Sequence, residues 1–238
     1  MCAGLIGASV IVLVGLVARA GVSGQGRFAG YVWFGRVQEI SGQWVVPRIE
    51  KDSHAGRAGS WIGAVDATGH SDTDRFIQVG TNEMRVAGTA LRIGDLRLVP
   101  DLYYAFWSST QDQFHPVYLF PVNAGDQITA SLALRGKRWR VSITDVTSQR
   151  SATFTTRQET GAAFNQAQWL QEDITDAKTG RPFPYPRLTP LRFSKVKVNR
   201  RIPTLAQVHD QQMSVGDGTE TPTELNRGSF VVAGTTPS

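Results

Sequence analysis

Apolar and polar residues alternate with a period of two over much of this chain. Between Ile128 and Leu134, the apolar Ile128, Ala130, Leu132 and Leu134 interleave with Thr129, Ser131 and Ala133, and Arg135 follows. Gly136-Lys137 then supplies a turn, after which Trp139, Val141 and Ile143 interleave with Arg138, Arg140, Ser142 and Thr144. Successive side chains of a strand point to opposite faces, so two such runs joined by a short glycine-containing loop predict a hairpin with one hidden face. Ala152 to Thr156 is predicted to add the third strand of a meander. The same rhythm recurs at Gln43 to Val46, Asp74 to Gly80, Asp95 to Val99, Lys195 to Asn199 and Ser229 to Val232, with Gly, Pro, Asn or Asp between most runs. Many short strands separated by turn residues predict an all-β sandwich or barrel. No segment sustains a helical period and no internal repeat is found. Gly216 to Pro222 reads as a loop and Gly234 to Ser238 as a frayed end.

Length and composition sharpen this picture. A chain of 238 residues is long enough for one large sandwich or two small domains, and no linker divides it. The 24 glycines, 11 prolines and modest 19% of charged residues suit strands and turns better than helices. The first charged residue is Arg19, and the apolar run Leu5 to Val17 ends near the small-residue triplet Ala18-Arg19-Ala20. Residues 1–20 therefore read as a signal peptide and residues 21–238 as one β-sandwich domain, secreted to the extracellular side. The apolar run is shorter than the roughly 20 residues of a membrane span. The alternative is an uncleaved anchor that holds the domain outside the membrane. The single cysteine, Cys2, lies inside that segment, so the mature domain is expected to have no disulfide and no cysteine chemistry.

The formal charge of +5 is spread along the chain. Lys137-Arg138-Trp139-Arg140 and the basic positions from Arg192 to Arg201 read as solvated strand faces, so no nucleic-acid partner is expected. HExxH, GxSxG and phosphate-cradling loop motifs are all missing. His54, His70, His115 and His209 are scattered in polar stretches and read as surface residues. His70, Asp72 and Asp74 with Asp66 match no known ligand spacing, so no metal or other cofactor is expected.

A series of segments carries the remaining signal. In order they are Phe28-Ala29-Gly30-Tyr31-Val32, Trp44-Val45-Val46-Pro47, Trp61-Ile62-Gly63 with Asp66, and Ile77-Gln78-Val79-Gly80-Thr81. Tyr103-Tyr104-Ala105-Phe106-Trp107, Pro121-Val122-Asn123-Ala124-Gly125-Asp126 and Ala167-Gln168-Trp169-Leu170-Gln171-Glu172 follow. The series resembles the glutamic peptidases, the eqolisin family of acid endopeptidases, whose pattern runs W-A-G-Y, T-V-P, W-V-G-x-D, Q-x-G-T, Y-Y-A-W-Y-E, P-V-x-x-G-D and A-E-W-I-x-E. The likeness spans about residues 28 to 234 and rests on many short motifs together.

The resemblance implies a concanavalin-like β-sandwich of two packed antiparallel sheets, with a catalytic dyad of Gln78 and Glu172 on a concave face. It implies a polypeptide substrate in a cleft walled by Trp61, Asp66, Phe106 and Phe28, and no cofactor. A carboxylate that takes a proton from water and an amide that hydrogen-bonds the carbonyl oxygen suffice in principle for peptide hydrolysis. With an unperturbed pKa near 4.3, such a glutamate would act in acid. Taken singly, Gln78 reads as a solvated strand position and Glu172, beside Asp173, as ordinary surface charge, and Trp61, Phe106, Trp107 and Trp169 read equally as core or cleft wall. The chain departs from the family pattern at Phe28, Phe106, Ser108 and Gln168, where the family has Trp, Trp, Glu and Glu. Those departures bear on the pH optimum and on activity itself, and the basic charge, where characterised family members are acidic, points to a less acidic medium or an anionic substrate or surface. The stretch between Gln78 and Tyr103 predicts an additional hairpin around Met84 to Val99. A monomer is expected, with membrane contact confined to the N-terminal segment. Two competing readings are a non-catalytic, lectin-like binding sandwich and a structural envelope protein held by an uncleaved N-terminal helix.

Overall fold

The computed structural model describes residues 26–67, 75–86, 91–93, 96–98, 101–112, 115–176, 179–216 and 218–235. The chain opens with β1 (Phe28–Phe34) and β2 (Glu39–Val45), followed by two long strands, β3 (Gly56–Asp66) and β4 (Arg75–Arg85). A short hairpin, β5 (Leu91–Ile93) and β6 (Leu96–Leu98), leads into β7 (Asp101–Ser109) and β8 (Val117–Pro121). The meander β9 (Gln127–Arg135), β10 (Arg138–Asp145) and β11 (Arg150–Arg157) comes next, then β12 (Gln166–Asp173) and β13 (Leu191–Val198). β14 (Val208–Gln211), β15 (Met213–Val215), β16 (Gly218–Pro222) and β17 (Phe230–Thr235) close the chain.

These strands form two antiparallel sheets packed face to face, the sandwich expected from the sequence. One has seven strands in the order β14-β1-β12-β3-β4-β7-β8, and the other has eight in the order β11-β10-β9-β2-β13-β17-β16-β15. The predicted hairpin between Met84 and Val99 is present as β5 and β6. The predicted loop from Gly216 to Pro222 is instead largely strand: β16 pairs with β15 and β17, and only this edge pairing distinguishes its polar Thr-Glu-Thr run from a turn. The same pairing holds Ala233 and Gly234, so the end expected to fray is in strand through Thr235.

Alternation succeeds where one face meets water. In β10 and β13, Trp139, Val141, Phe193 and Val196 are buried, while Arg138, Arg140, Arg192, Lys195 and Lys197 are exposed. The basic stretches are thus solvated strand faces, as read. Between the sheets, Ile40, Ile128, Leu132 and Val141 meet Ala29, Ile62, Ile77, Val79 and Trp169 in one continuous core. Two indole N–H groups cross that core: Trp169 Nε1 donates to the Ser41 carbonyl at 2.9 Å and Trp44 Nε1 to Thr81 Oγ1 at 3.1 Å. Such bonds fix how the sheets slide on each other, because an unpaired buried donor would cost about 1–3 kcal/mol.

Several family-like motifs prove to be structural. Within Pro121 to Asp126, the Asp126 carboxylate accepts from the Asn123 N–H at 2.7 Å. Gly125, at φ 92°, donates its N–H to the Val46 carbonyl and locks this turn onto the end of β2. Tyr103 Oη accepts from the Ile49 N–H at 3.0 Å and holds the next segment.

At one end of the core, the sandwich encloses acids. Glu83 is fully buried and accepts from Thr81 Oγ1 at 2.8 Å and Ser60 Oγ at 3.3 Å. Burial outweighs these bonds and holds its carboxyl well above the usual range. Burial likewise raises Glu220 to about 7 and, against a partial pull from Arg27, Asp173 to about 6. Tyr185 lies in the field of all three. The unfolded chain releases these protons near pH 4, whereas the folded protein keeps them to higher pH. The native state therefore binds more protons in that window, and stability falls as pH rises through it. For Glu220, at about 1.4 kcal/mol per unit, the loss is roughly 3 kcal/mol between about pH 4 and pH 7. Urea unfolding is expected to show a lower midpoint at about pH 7.5 than at pH 4, with a smaller difference in Glu220→Gln. A midpoint that rises over this window would overturn the assignment.

Candidate active site

The outward face of the seven-stranded sheet carries a second, separate apolar cluster of Phe28, Val32, Trp61, Phe106 and Leu170. Strand geometry selects these residues, since every second side chain of β1, β3, β7 and β12 points away from the core. Trp169 and Trp107 fall on the other parity: Trp169 is in the core, and Trp107 packs on Phe154 at 4.9 Å between ring centres. The aromatics left undecided by the sequence are thus divided by the pleat.

Glycines shape the face around Trp61. A Cβ at Gly63 would lie 2.8 Å from the Trp61 ring, so the indole lies down along β3 over a position that needs no side chain. Gly80, directly across from Trp61 in the register of β3 and β4, would place a Cβ 2.3 Å from the Ser60 carbonyl. The glycines of Trp61-Ile62-Gly63 and Gln78-Val79-Gly80-Thr81 therefore serve one purpose, the close seating of a single tryptophan.

That tryptophan reaches a carboxylate. Trp61 Nε1 donates to Glu172 Oε2 at 2.9 Å. Glu172 on β12 pairs with Phe28 on one side and Gly59 on the other, and Phe28 packs edge-on against Trp61 at 6.0 Å. Glu172 is 8% exposed, and burial pushes its carboxyl up to about 7. The Trp61 hydrogen bond and the charge of Arg27 oppose the rise, while the neighbouring Asp173 adds to it. Arg27 itself is tethered by hydrogen bonds to Thr175 and the Gly180 carbonyl.

Gln78 on β4 sits across from Gly63 and Ser108. Its side chain is partly exposed and has no hydrogen-bond partner among the described residues. Gln78 and Glu172 line one shallow cleft together with Arg57, Asn82, Met84, Phe106, Ser108, Pro116, Tyr118 and Ile174. Ser108 Oγ is buried in this cleft with no partner among the described residues, a hydroxyl available to a bound molecule.

The six residues named from the sequence are thus placed differently. Gln78, Glu172 and Phe106 line the cleft. Trp61 and Phe28 stand behind it, Trp61 as the hydrogen-bond donor that orients Glu172 and Phe28 as its packing partner. Asp66 does not belong to the cleft. The spacing W-V-G-x-D puts its acid at position 65, where this chain has Val65, and a shift of one residue along a strand turns a side chain to the opposite face. Asp66 accepts from the Ala163 N–H at 2.9 Å and lies 3.9 Å from Arg75. His70, Asp72 and Asp74 lie outside the described residues. Among the described residues, no three His, Cys, Asp or Glu side chains converge as metal ligands. Gln168 is buried, its amide donating to Gln166 Oε1 at 2.9 Å. Sequence reasoning missed Arg57 and Asn82. Each lies on an unremarkable stretch, and only the register of β12, β3 and β4 brings them into the cleft that Glu172 lines.

Residues 26–214 match the Peptidase A4 family. No protein of curated function is detectably similar in sequence. Among solved structures, scytalido-glutamic peptidase with a transition state analog inhibitor superposes with a TM-score of 0.67 at 13% identity, over 88% of this chain and 98% of that one. SCP-B, a member of the eqolisin family of peptidases in complex with the tripeptide Ala-Ile-His, superposes with a TM-score of 0.66 at 13% identity and the same coverage.

Proposed function

The chain belongs to the Peptidase A4 family, and from that premise we propose that it is an exported glutamic endopeptidase whose catalytic pair is Glu172 and Gln78. The observation that carries this reading is a buried glutamate and a glutamine without a hydrogen-bond partner among the described residues, both lining the same cleft. In its ionised form Glu172 takes a proton from a water held between the two side chains. The water oxygen attacks the peptide carbonyl, and the Gln78 amide donates a hydrogen bond to the oxygen that becomes negative. Glu172 then passes its proton to the departing amine and is again a carboxylate. Trp61 keeps one carboxyl oxygen occupied, which aims the other at the substrate.

A base that titrates at about 7 is only partly ionised in acid. The rate under subsaturating substrate is therefore expected to rise with pH toward a plateau with an apparent pKa near 7. This moves the working range up from the acid optimum implied by an unperturbed glutamate. Loss of folded protein at higher pH, driven by the enclosed acids, is expected to limit activity on the alkaline side.

The test is digestion of an unfolded protein by purified residues 21–238 and by Glu172→Gln, from about pH 3 to pH 8, a range that brackets carboxyl titration. Hydrolysis by the parent alone, rising through that range, is the expected result. Equal hydrolysis by both would remove Glu172 from the mechanism. A folded parent with no hydrolysis at any pH would leave a non-catalytic binding sandwich.

A further inference from the structure

We propose that Arg57 forms a subsite that takes an acidic side chain of the substrate beside the bond to be cut; this rests on the reading of the cleft as a peptidase site. Arg57 lies on β3, two residues from Gly59, the residue opposite both Glu172 and Asn82. Two residues along a strand return a side chain to the same face about 7 Å away. Arg57 therefore faces the cleft at the Asn82–Met84 end, away from Gln78, with Met84 as its register partner.

The cation is held in place before any ligand arrives. Its backbone N–H donates to the Pro184 carbonyl at 3.0 Å, and its guanidinium stacks over the Phe183 ring at 4.1 Å. Phe183 is in turn tied to Ile174 by a backbone hydrogen bond of 2.8 Å, so the proline-rich strap and β3 grip the side chain from two sides. Stacking on a ring occupies one face of the guanidinium and leaves its N–H edge unspent. Among the described residues, no carboxylate lies within ion-pair distance of Arg57, unlike Arg75, Arg85, Arg135, Arg187 and Arg200. The cation whose field acts on Glu172 is Arg27.

A partly buried guanidinium with a fixed plane, free donors and apolar neighbours, Met84 and Ile174, fits a carboxylate approached edge-on. Reach selects the ligand: a substrate side chain within two or three residues of the scissile bond extends from the dyad to this end of the cleft. Glutamate or aspartate supplies the charge, and lysine at the same position meets repulsion. The net charge of +5 favours the approach of acidic chains generally.

The experiment has two arms. In the first, cleavage sites in unfolded proteins are mapped at about pH 6, where substrate carboxylates are ionised. Peptides carrying Glu, Gln or Lys at each of three positions on either side of the bond are then compared. One position is expected to favour Glu over Gln about tenfold in kcat/KM, and the ratio is expected to fall to about one in Arg57→Met, a charge-assisted hydrogen bond being the interaction lost. In the second arm, neutral hexapeptides with a single Glu or Gln are titrated into Glu172→Gln, with calorimetry as the readout. The Glu peptide is expected to bind about tenfold tighter, and the difference to vanish when Arg57→Met is added. If the parent cleaves but no position discriminates, or discrimination survives Arg57→Met, the acidic subsite is wrong and the dyad stands. If nothing is cleaved but the binding difference follows Arg57, the subsite stands and the peptidase mechanism falls. Equal binding of the two hexapeptides overturns the subsite in either case.

Discussion

Glu172→Gln is expected to lower kcat on an unfolded protein by about 10³–10⁴-fold while leaving the fold intact. The size follows from losing a positioned general base and the acid it becomes, a role that contributes up to about 10⁴-fold. The intact fold follows from the surroundings of the carboxyl. Glutamine has the same shape, and its amide oxygen still accepts the Trp61 Nε1–H that now reaches Glu172 Oε2 at 2.9 Å. Below about pH 6 the parent carboxyl is itself mostly uncharged, since burial holds it at about 7. The variant should then match the parent in urea midpoint near pH 4 and increasingly exceed it up to about pH 7, because the unfolded parent releases this proton near pH 4 while the folded parent keeps it to about 7. Steady-state kinetics and urea unfolding on the same samples check both halves. A variant that unfolds at pH 5 would mean that the glutamate holds the site together and would leave its chemistry unproven. A folded variant with full activity would exclude it as the base.

Gln78→Ala is expected to lower kcat by about 10²–10³-fold with little change in KM. A donor aimed at an oxygen that becomes negative only in the transition state contributes there and not in substrate binding. Gln78 meets that description because its amide has no hydrogen-bond partner among the described residues and faces the cleft opposite Ser108. Truncation at a partly exposed strand position removes little packing, so stability should change by less than about 1 kcal/mol. Gln78→Glu is the informative companion. It keeps the reach but replaces the donor with an acid, and it should be at least as slow as Gln78→Ala near pH 7. A rise in KM with kcat unchanged would make Gln78 a substrate-binding residue without a share in the chemistry.

The pH predictions meet in one design consequence. The same cause, burial of carboxyls against apolar walls, raises Glu172 on the outward face and Glu83, Asp173 and Glu220 at the enclosed end. The base gains its active form as pH rises, while the sandwich loses stability over the same interval. Activity and stability are thus expected to cross in weakly acidic to neutral medium.

Alternation along the chain marked three strands of the eight-stranded sheet, β9, β10 and β13, unaided. β9, β10 and β13 have one wet face, so hydrophobicity itself marks which side chains turn inward. The ordered series of short motifs determined the family and put Gln78 and Glu172 forward as a pair, although neither residue stands out alone. The seven-stranded sheet was less legible. Every residue of β12 and nearly every residue of β3 is buried, because one face meets the core and the other a second apolar cluster, and a strand covered on both faces loses its period-two signature.

Tertiary structure alone decided the rest, and each case turns on strand parity or register. Parity divided Trp61 from Trp169 and carried Asp66 to the wrong face of β3 for the cleft, one residue from where the family pattern would have it. Register set Gly80 against Trp61, Gly59 against both Glu172 and Asn82, and Arg57 at the far end of the same cleft. Edge pairing made a strand of the polar run from Gly218 to Pro222. The raised carboxyl of Glu172 likewise has no sequence signature, since it depends on how many apolar groups the folded sheet gathers around one oxygen pair. Local sequence specifies the pleat of a strand. What stands across from each residue is set by the neighbouring strands, and the chemistry of this cleft depends on those neighbours.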